Sequence, residues 1–350
     1  MHKIKTKTLI LRSVLAIAVI GMLFWFSPKN RTITIDGGFR MTMGTVARIM
    51  VVAENQQQAH RAINAAFDEI FHTEELMSDY DPNSQLSKVN RLAFEQPVPV
   101  DAELFEVLTA AMLYSSLSDG AFDITIGPVV QLWRKAKEDN AAPAADALQK
   151  AKERVGYKKL ILNAENTTVR FAKEGMLLDL GGIAKGYAID KAIEILQDAG
   201  VKGAMVDVGG DLRCFGTPAN GKKHWLIGLQ DPAEDGNILL TLNMDDRAVA
   251  TSGDYRRFVI IDEQKHSHIV NPTTADSPDD LSSVTLIAPT ATAADALATA
   301  VTVLGNEKGI DLINKTKTAE AILIQSAVPN QFIKTTGANR YILKRERDHR

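Results

Sequence analysis

Apolar residues recur along this chain with two different periods, and the two periods fall in separate blocks. From Gln56 to Met77, Ala59, Ile63, Phe67, Ile70, Phe71 and Leu76 are spaced as one face of a helix. Ala102–Leu117 repeats that spacing and ends at Ser118-Asp119-Gly120, a helix-stopping sequence. Helices are also predicted over Pro143–Val155 and Ala184–Ala199. Short aliphatic and β-branched runs predict strands at Leu160–Leu162, Thr168–Phe171, Met176–Leu180, Ala204–Val208, Trp225–Leu229, Ile238–Leu242, Ala248–Ala250, Arg257–Ile261 and Ala321–Ile324. Arg40–Val52 reads as a strand pair or one long strand. Ser283–Pro289 predicts a buried strand followed by a helix over Thr290–Leu304. Strands clustered together, with helices in blocks of their own, predict an α+β body rather than alternating βαβ units.

The N-terminus has another pattern. Lys3, Lys5, Lys7 and Arg12 precede Ser13–Phe26, a run without charge, and Trp25 suits a membrane interface. No small-residue cleavage site follows Phe26, and the segment has no cysteine to acylate. The expectation is an uncleaved, single-pass anchor over residues 1–30 with an exported body over residues 31–345.

Composition changes this picture little. Hydrophobic residues make up 45% and charged residues 24% of the 350, as in a folded globular protein. A net charge of −3 gives no reason to expect a nucleic-acid partner. The single cysteine, Cys214, excludes a disulfide or a multi-cysteine metal site within one chain. There is no P-loop, no Gly-x-Ser-x-Gly elbow, no His-Glu-x-x-His and no strand-associated Gly-x-Gly-x-x-Gly.

The most informative charge is Asp295, alone between Leu281 and Asn306. In a helix, Thr299 and Thr302 share its face, which carries no lysine or glutamate. A buried carboxylate needs a cation or donors to offset its lost hydration. A hard ion such as Mg²⁺, held by carboxylate, hydroxyl and phosphate oxygens, would supply that. Equally, Thr292-Ala-Ala-Asp295 fits a capping box, with Asp295 in the first turn.

Other candidates are weaker one by one. Asp179 ends a predicted strand ahead of a Gly181-Gly182 turn, whose N–H groups could approach an anion. Lys185 follows in the first helical turn, where a cation opposes the helix dipole unless an anion sits there. That segment also fits a plain strand-to-helix connection with an exposed lysine. Asp207 and Asp211 flank a second glycine turn, which fits an ordinary hairpin corner as well. Tyr80 could stack on a planar ring or cover the core. His266 and His268 suit proton transfer or phosphate contact, although a histidine beside a strand is commonly structural.

Taken in order, the phrases resemble a known family. They are Met43-Gly-Thr45, Met77-Ser-x-Tyr80, Ser84-x-Leu-Ser-x-Val-Asn90, Gly120-Ala-Phe-Asp-x-Thr125 with Pro128 and Leu132-Trp133, and Asp179-Leu-Gly-Gly-Ile-Ala-Lys-Gly-Tyr-Ala188. Asp207-Val-Gly-Gly-Asp211, Trp225-Leu-Ile-Gly-Leu-Gln-Asp-Pro232, Thr251-Ser-Gly-Asp-Tyr255, His268-Ile-Val-Asn-Pro272 and Ala294-Asp-Ala-Leu-Ala-Thr299 complete the set. From about Met41 to Gly305 the chain resembles the ApbE family of FAD:protein FMN transferases. The resemblance implies a single α+β, T-fold-like domain with a largely antiparallel sheet and flanking helices. It implies Mg²⁺-dependent cleavage of FAD, with FMN passed to a threonine or serine of a target protein and AMP released. Carried over by motif, the Mg²⁺ ligands would be Asp295, Thr299 and the carbonyl of Gly182. FAD contacts would come from Met43, Tyr80, Ala121, Phe122, Asp123, Asp179, Lys185 and Ile269. His268 would lie near the reacting phosphate, and it and Asp179 are the expected catalytic residues. Implied partners are flavoprotein subunits of membrane electron-transfer complexes, reached from the periplasmic side of a bacterial inner membrane. An FAD pyrophosphatase and a non-catalytic flavin-binding assembly protein compete with this reading. The chain departs from the family at Asn271-Pro-Thr-Thr-Ala275, where Asp-Pro-x-Thr-Gly is common.

Overall fold

A computed structural model describes residues 32–343 except 220, 233, 235, 254–257, 262, 263 and 327. The anchor expected over residues 1–30 therefore lies outside the described residues. Among those described, no helix is long and apolar enough to cross a membrane.

The centre is an antiparallel sheet that, among the described residues, has eight strands. Its strands are β1 (Ile33–Thr42), β2 (Thr45–Ala53), β6 (Gly203–Val208), β7 (Asp211–Gly216), β10 (Arg247–Gly253), β13 (Leu281–Ala288), β14 (Glu320–Gln325) and β15 (Val328–Lys334), side by side in that order. Arg40–Val52 thus straddles a hairpin instead of forming one strand. Its turn is Met43-Gly44, with φ of 50° and 65°, the paired positive values of the tight turn that matches strand twist. Glu74 fixes this turn by accepting from the Met43 N–H and the Thr42 hydroxyl, both at 2.7 Å.

Strand alternation sorts residues to the two faces of the sheet. Ala47, Ile49, Val51, Ala204, Val206, Val208, Ala248, Ala250, Val284 and Leu286 point into the main core. That core is closed by α1 (Gln56–Met77), α6 (Ala184–Asp198) and α7 (Ala291–Thr316). On the opposite face Val52, Leu212, Cys214, Val249, Ile287 and Ile322 pack under the hairpin of β8 (Trp225–Gln230) and β9 (Ile238–Met244). A further small sheet, β3 (Val98–Pro99), β5 (Thr168–Phe171) and β4 (Leu160–Asn163), lies with α2 (Gln85–Leu92), α3 (Ala102–Leu117), α4 (Gly127–Asp139) and α5 (Ala145–Lys152). Strands β11 (Phe258–Ile261) and β12 (Gln264–Ser267) form a separate hairpin.

Two expectations fail locally. Met176–Leu180 is extended but joins no sheet, making one bridge from Leu177 to Ile126. The Asn90 side chain satisfies both backbone groups of Leu178, at 2.7 and 3.0 Å. Second, α7 does not end at Leu304: Gly305 interrupts it with φ 75° and a second helical stretch follows to Thr316.

The contact between α6 and α7 is close enough to exclude a methyl group. A Cβ on Gly186 would lie 2.3 Å from the Ala291 carbonyl oxygen and 2.8 Å from the Thr292 Cα, both backbone. Gly→Ala inside a helix ordinarily gains up to about 1 kcal/mol. Gly186→Ala should instead lose about 1–3 kcal/mol by overpacking, read as a lowered urea midpoint at unchanged m-value.

Candidate active site

Helix α7 is capped by Thr290, whose hydroxyl accepts from the Ala293 N–H at 3.2 Å. The capping box that begins at Thr292 does not form. Thr292 lies inside the first turn, and its hydroxyl donates to Asp190 at 2.6 Å. Asp190, on α6, also accepts from the Ala291 and Thr292 N–H groups at 2.9 and 2.8 Å and pairs with Arg213 at 2.7 Å. The free N–H groups of α7 are thus satisfied from another element. Asp295 falls in the second turn, 4% exposed, with no capping duty.

Asp295 faces a lysine. Both its oxygens lie 3.1 Å from Lys185 Nζ, and Oδ2 also accepts from the Gly186 N–H at 3.1 Å. The same ammonium reaches Asp211 Oδ2 at 2.7 Å, while Asp211 Oδ1 accepts from the Thr251 N–H at 3.0 Å. One cation therefore serves two buried carboxylates, leaving the cluster one negative charge in excess. Burial alone would lower the Lys185 pKa, but the two carboxylates outweigh it and hold it above the ordinary lysine value. Asp295 is shifted up because burial and the nearby Asp211 charge exceed what Lys185 and the Gly186 N–H return. A lysine early in a helix, against the dipole, is explained by these two anions.

The two acids around the Gly209-Gly210 turn separate. Asp211 turns toward the helix layer and Lys185. Asp207 stands on the other face of the sheet, in register with Met205 of the second core, and its Oδ1 accepts from the Gly210 N–H at 2.8 Å.

Thr299 is one turn beyond Asp295 on the same helix face. A Cβ on Gly182 would lie 2.9 Å from Thr299 Oγ1 and 3.2 Å from the Phe122 ring. Gly182 thus packs closely under the Thr299 hydroxyl and the Phe122 ring, with Asp295 one helical turn before Thr299. These donors fit Mg²⁺: carboxylate, hydroxyl and backbone carbonyl are hard oxygens, and few of them, which suits an ion that keeps water or phosphate ligands. Lys185 Nζ already places a positive charge against Asp295. Among the described residues no three His, Cys, Asp or Glu side chains converge, as a nitrogen- or sulfur-preferring ion would need.

A second cation organises the neighbouring wall. Arg134 of α4 donates to Asp179 Oδ2 at 2.7 Å and to Asp79 Oδ2, and its guanidinium lies 4.4 Å from the centre of the Tyr80 ring. Asp179 Oδ1 accepts from the Gly181 N–H at 2.8 Å, which tightens the glycine turn. Burial, with the Asp79 charge, raises the Asp179 pKa against the pull of Arg134. Arg134 carried no sequence signal: among Lys135, Lys137 and Glu138 it looks like part of a solvated face.

The remaining candidates are placed as follows. Asp123 is buried, with Oδ1 accepting from the Thr125 N–H and hydroxyl at 2.8 and 2.6 Å and Oδ2 from the Tyr157 N–H at 2.8 Å. Its carboxylate thus closes the turn at Thr125 and ties it to Tyr157, while the Phe122 N–H donates to the Ser118 hydroxyl at 3.0 Å. His268 is exposed just past β12, beside buried Ile269. The segment beyond it docks on α4 through Val270 and Ala275 against Val129, and the Trp133 indole donates to the Ala275 carbonyl at 2.9 Å. Asn271 accepts from the Thr273 N–H at 2.8 Å, and buried Ala275 takes φ 65° where a glycine is common. Of Thr251-Ser-Gly-Asp-Tyr255, Asp254 and Tyr255 lie outside the described residues.

Comparison with known proteins identifies the family. Residues 43–323 match the model of the ApbE family. The FAD:protein FMN transferase of Treponema pallidum is 33% identical over 299 residues, covering 81% of this chain and 83% of that protein. The ApbE protein of Thermotoga maritima superposes with a TM-score of 0.80 at 30% identity, covering 90% of this chain and all (100%) of that one. The flavin transferase ApbE of Vibrio cholerae superposes with a TM-score of 0.75 at 27% identity, covering 87% and 97%. With its antiparallel sheet, its glycine turn at Asp179 and its buried Asp295 in place, the chain belongs to the ApbE family.

Proposed function

We propose that this chain is a Mg²⁺-dependent FAD:protein FMN transferase that attaches FMN through a phosphoester to a threonine or serine of target flavoproteins. The observation that carries the proposal is the buried oxygen-lined corner of Asp295, Thr299 and Gly182, balanced by Lys185. The names of the Treponema pallidum and Vibrio cholerae relatives support the activity. The basic, then apolar N-terminal run supports a body held on the periplasmic side of a bacterial inner membrane. There it would meet flavoprotein subunits of membrane electron-transfer complexes.

Asp295, Thr299 and the Gly182 carbonyl would hold the ion. When bound, Mg²⁺ would neutralise the pyrophosphate and stabilise charge growing on the departing AMP. Lys185, keeping Asp211 as partner, would add a fixed positive charge beside the phosphates. Tyr80 offers an exposed aromatic face to a planar ring, and the Met43 turn, Ala121, Phe122, Asp123, Asp179 and Ile269 would complete the FAD contacts. The acceptor hydroxyl oxygen bonds to the FMN phosphorus as the bond from that phosphorus to the bridging oxygen breaks. AMP leaves with the electron pair, and the hydroxyl proton passes to His268, an exposed imidazole suited to accept it.

Chromatography of FAD, AMP and FMN after incubation with Mg²⁺ and a peptide containing Ser-Gly-Ala-Thr tests this. AMP formed without matching free FMN, and only with peptide present, is the expected result. Equal AMP and free FMN whether or not peptide is added would make the chain a pyrophosphatase. Unchanged FAD would make it a flavin-binding protein.

A further inference from the structure

Between the loop after α1 and the extended segment 176–180 lies a cavity of about 270 Å³. Asp79, Tyr80, Asn90, Gln131, Leu177 and Leu178 are on its wall. Tyr80 would be a poor wall by itself. The residue is 76% exposed, and its backbone N–H donates to the Ser78 hydroxyl at 3.3 Å. What backs it is Arg134. The guanidinium covers one ring face while its two terminal nitrogens bind Asp79 on the same loop and Asp179 at the end of the 176–180 segment.

We infer that Arg134 is a positioning residue for FAD. It holds Tyr80 as a preset platform for one of FAD's planar rings and fixes Asp179 beside it; the inference rests on the function proposed above. A guanidinium suits this as an ammonium does not, because its planar fork reaches two carboxylates while its face stacks on a ring. An isolated surface ion pair would matter little. Here, however, both carboxylates are mostly covered, at 19% and 12% side-chain exposure, and the stacked ring is otherwise loose. Tyr80 and Asp179 belong to segments about 100 residues apart in sequence; Asn90 ties the second of these to α2, and Arg134 is what links the Tyr80 ring and the Asp179 carboxylate directly. Without the bridge, FAD must order that loop as it binds.

The test is a double-mutant cycle on FAD affinity, read by flavin fluorescence with EDTA present so that no turnover intervenes. Arg134→Gln should weaken FAD binding about 10-fold, within the range of a desolvated cation–π contact and its ordering. Arg134→Lys should recover only part of the loss. In a Tyr80→Ala background Arg134→Gln should cost less than about 3-fold, because the platform is already gone. In turnover, KM for FAD should rise more than kcat falls. Equal losses in both backgrounds, or unchanged FAD affinity in Arg134→Gln, would overturn the inference. So would full recovery by Arg134→Lys, which would reduce the role to charge. If the wild-type protein fails to bind FAD, the proposed function falls and takes this inference with it.

Discussion

Asp295→Asn is expected to lower Mg²⁺-dependent flavin transfer by at least about 100–1000-fold, the usual scale for losing one preorganised electrostatic group. Its fold should survive. The amide keeps the size of the carboxylate and can still accept from the Gly186 N–H. Lys185 retains Asp211, its nearer partner at 2.7 Å. Folding raises the Asp295 pKa through burial and Asp211, so the ionised form at neutral pH is a cost to the native state. A neutral side chain removes that cost. Thermal unfolding should therefore change little, while calorimetric titration with Mg²⁺ in the presence of FAD should lose its heat. Wild-type rates in the variant would remove Asp295 from the chemistry. Collapse of the fold would mean that its charge is structural.

Removing the opposing charge should do the reverse. Lys185→Met leaves Asp211 and Asp295 facing each other with no cation between them. Deleting one partner of a buried ion pair costs about 3–5 kcal/mol. In a chain of this size that corresponds to roughly 4–8 °C in melting temperature. An added divalent ion can then take the place of the ammonium. Binding to the native state alone stabilises it in proportion to the logarithm of ion concentration over Kd. Added Mg²⁺ should thus raise the melting temperature of Lys185→Met more than that of the wild-type protein. Transfer should still be impaired, because the fixed charge beside the phosphates is gone. A variant as stable as wild type, with no larger response to Mg²⁺, would show that Lys185 does not balance this pair.

Asp295 shows how far sequence reasoning reaches here. Its isolation in an apolar stretch marked it as a charge with a purpose. The choice between cap and ligand turned on where α7 begins, and threonines at 290 and 292, two residues apart, offered two starts. The deciding contacts come from Asp190 and Lys185, more than a hundred residues away, so no local pattern contained them. The absence of lysine and glutamate from the Asp295 face pointed to burial, and Asp295 and Thr302 are indeed nearly as buried as Leu297 and Val301. The helix lies between sheet and helices and has no solvent side in its first half. The large helices and most strands were legible because their apolar spacing is strong. Met176–Leu180 looked like a strand because its apolar run is that of one, but the Asn90 side chain takes both backbone groups of Leu178, which no periodicity records. Arg134 was hidden by its charged neighbours, although Leu132-Trp133 beside it marked α4 as important.

The most direct test of the central claim is tandem mass spectrometry of an acceptor peptide incubated with FAD, the purified chain and either Mg²⁺ or EDTA. The account predicts a peptide heavier by FMN less one water, the flavin phosphate localised to a threonine or serine hydroxyl. One AMP should be released per modified peptide, with no product in EDTA or with Asp295→Asn. An unmodified peptide beside stoichiometric free FMN and AMP, or modification that proceeds unchanged in EDTA, would contradict it.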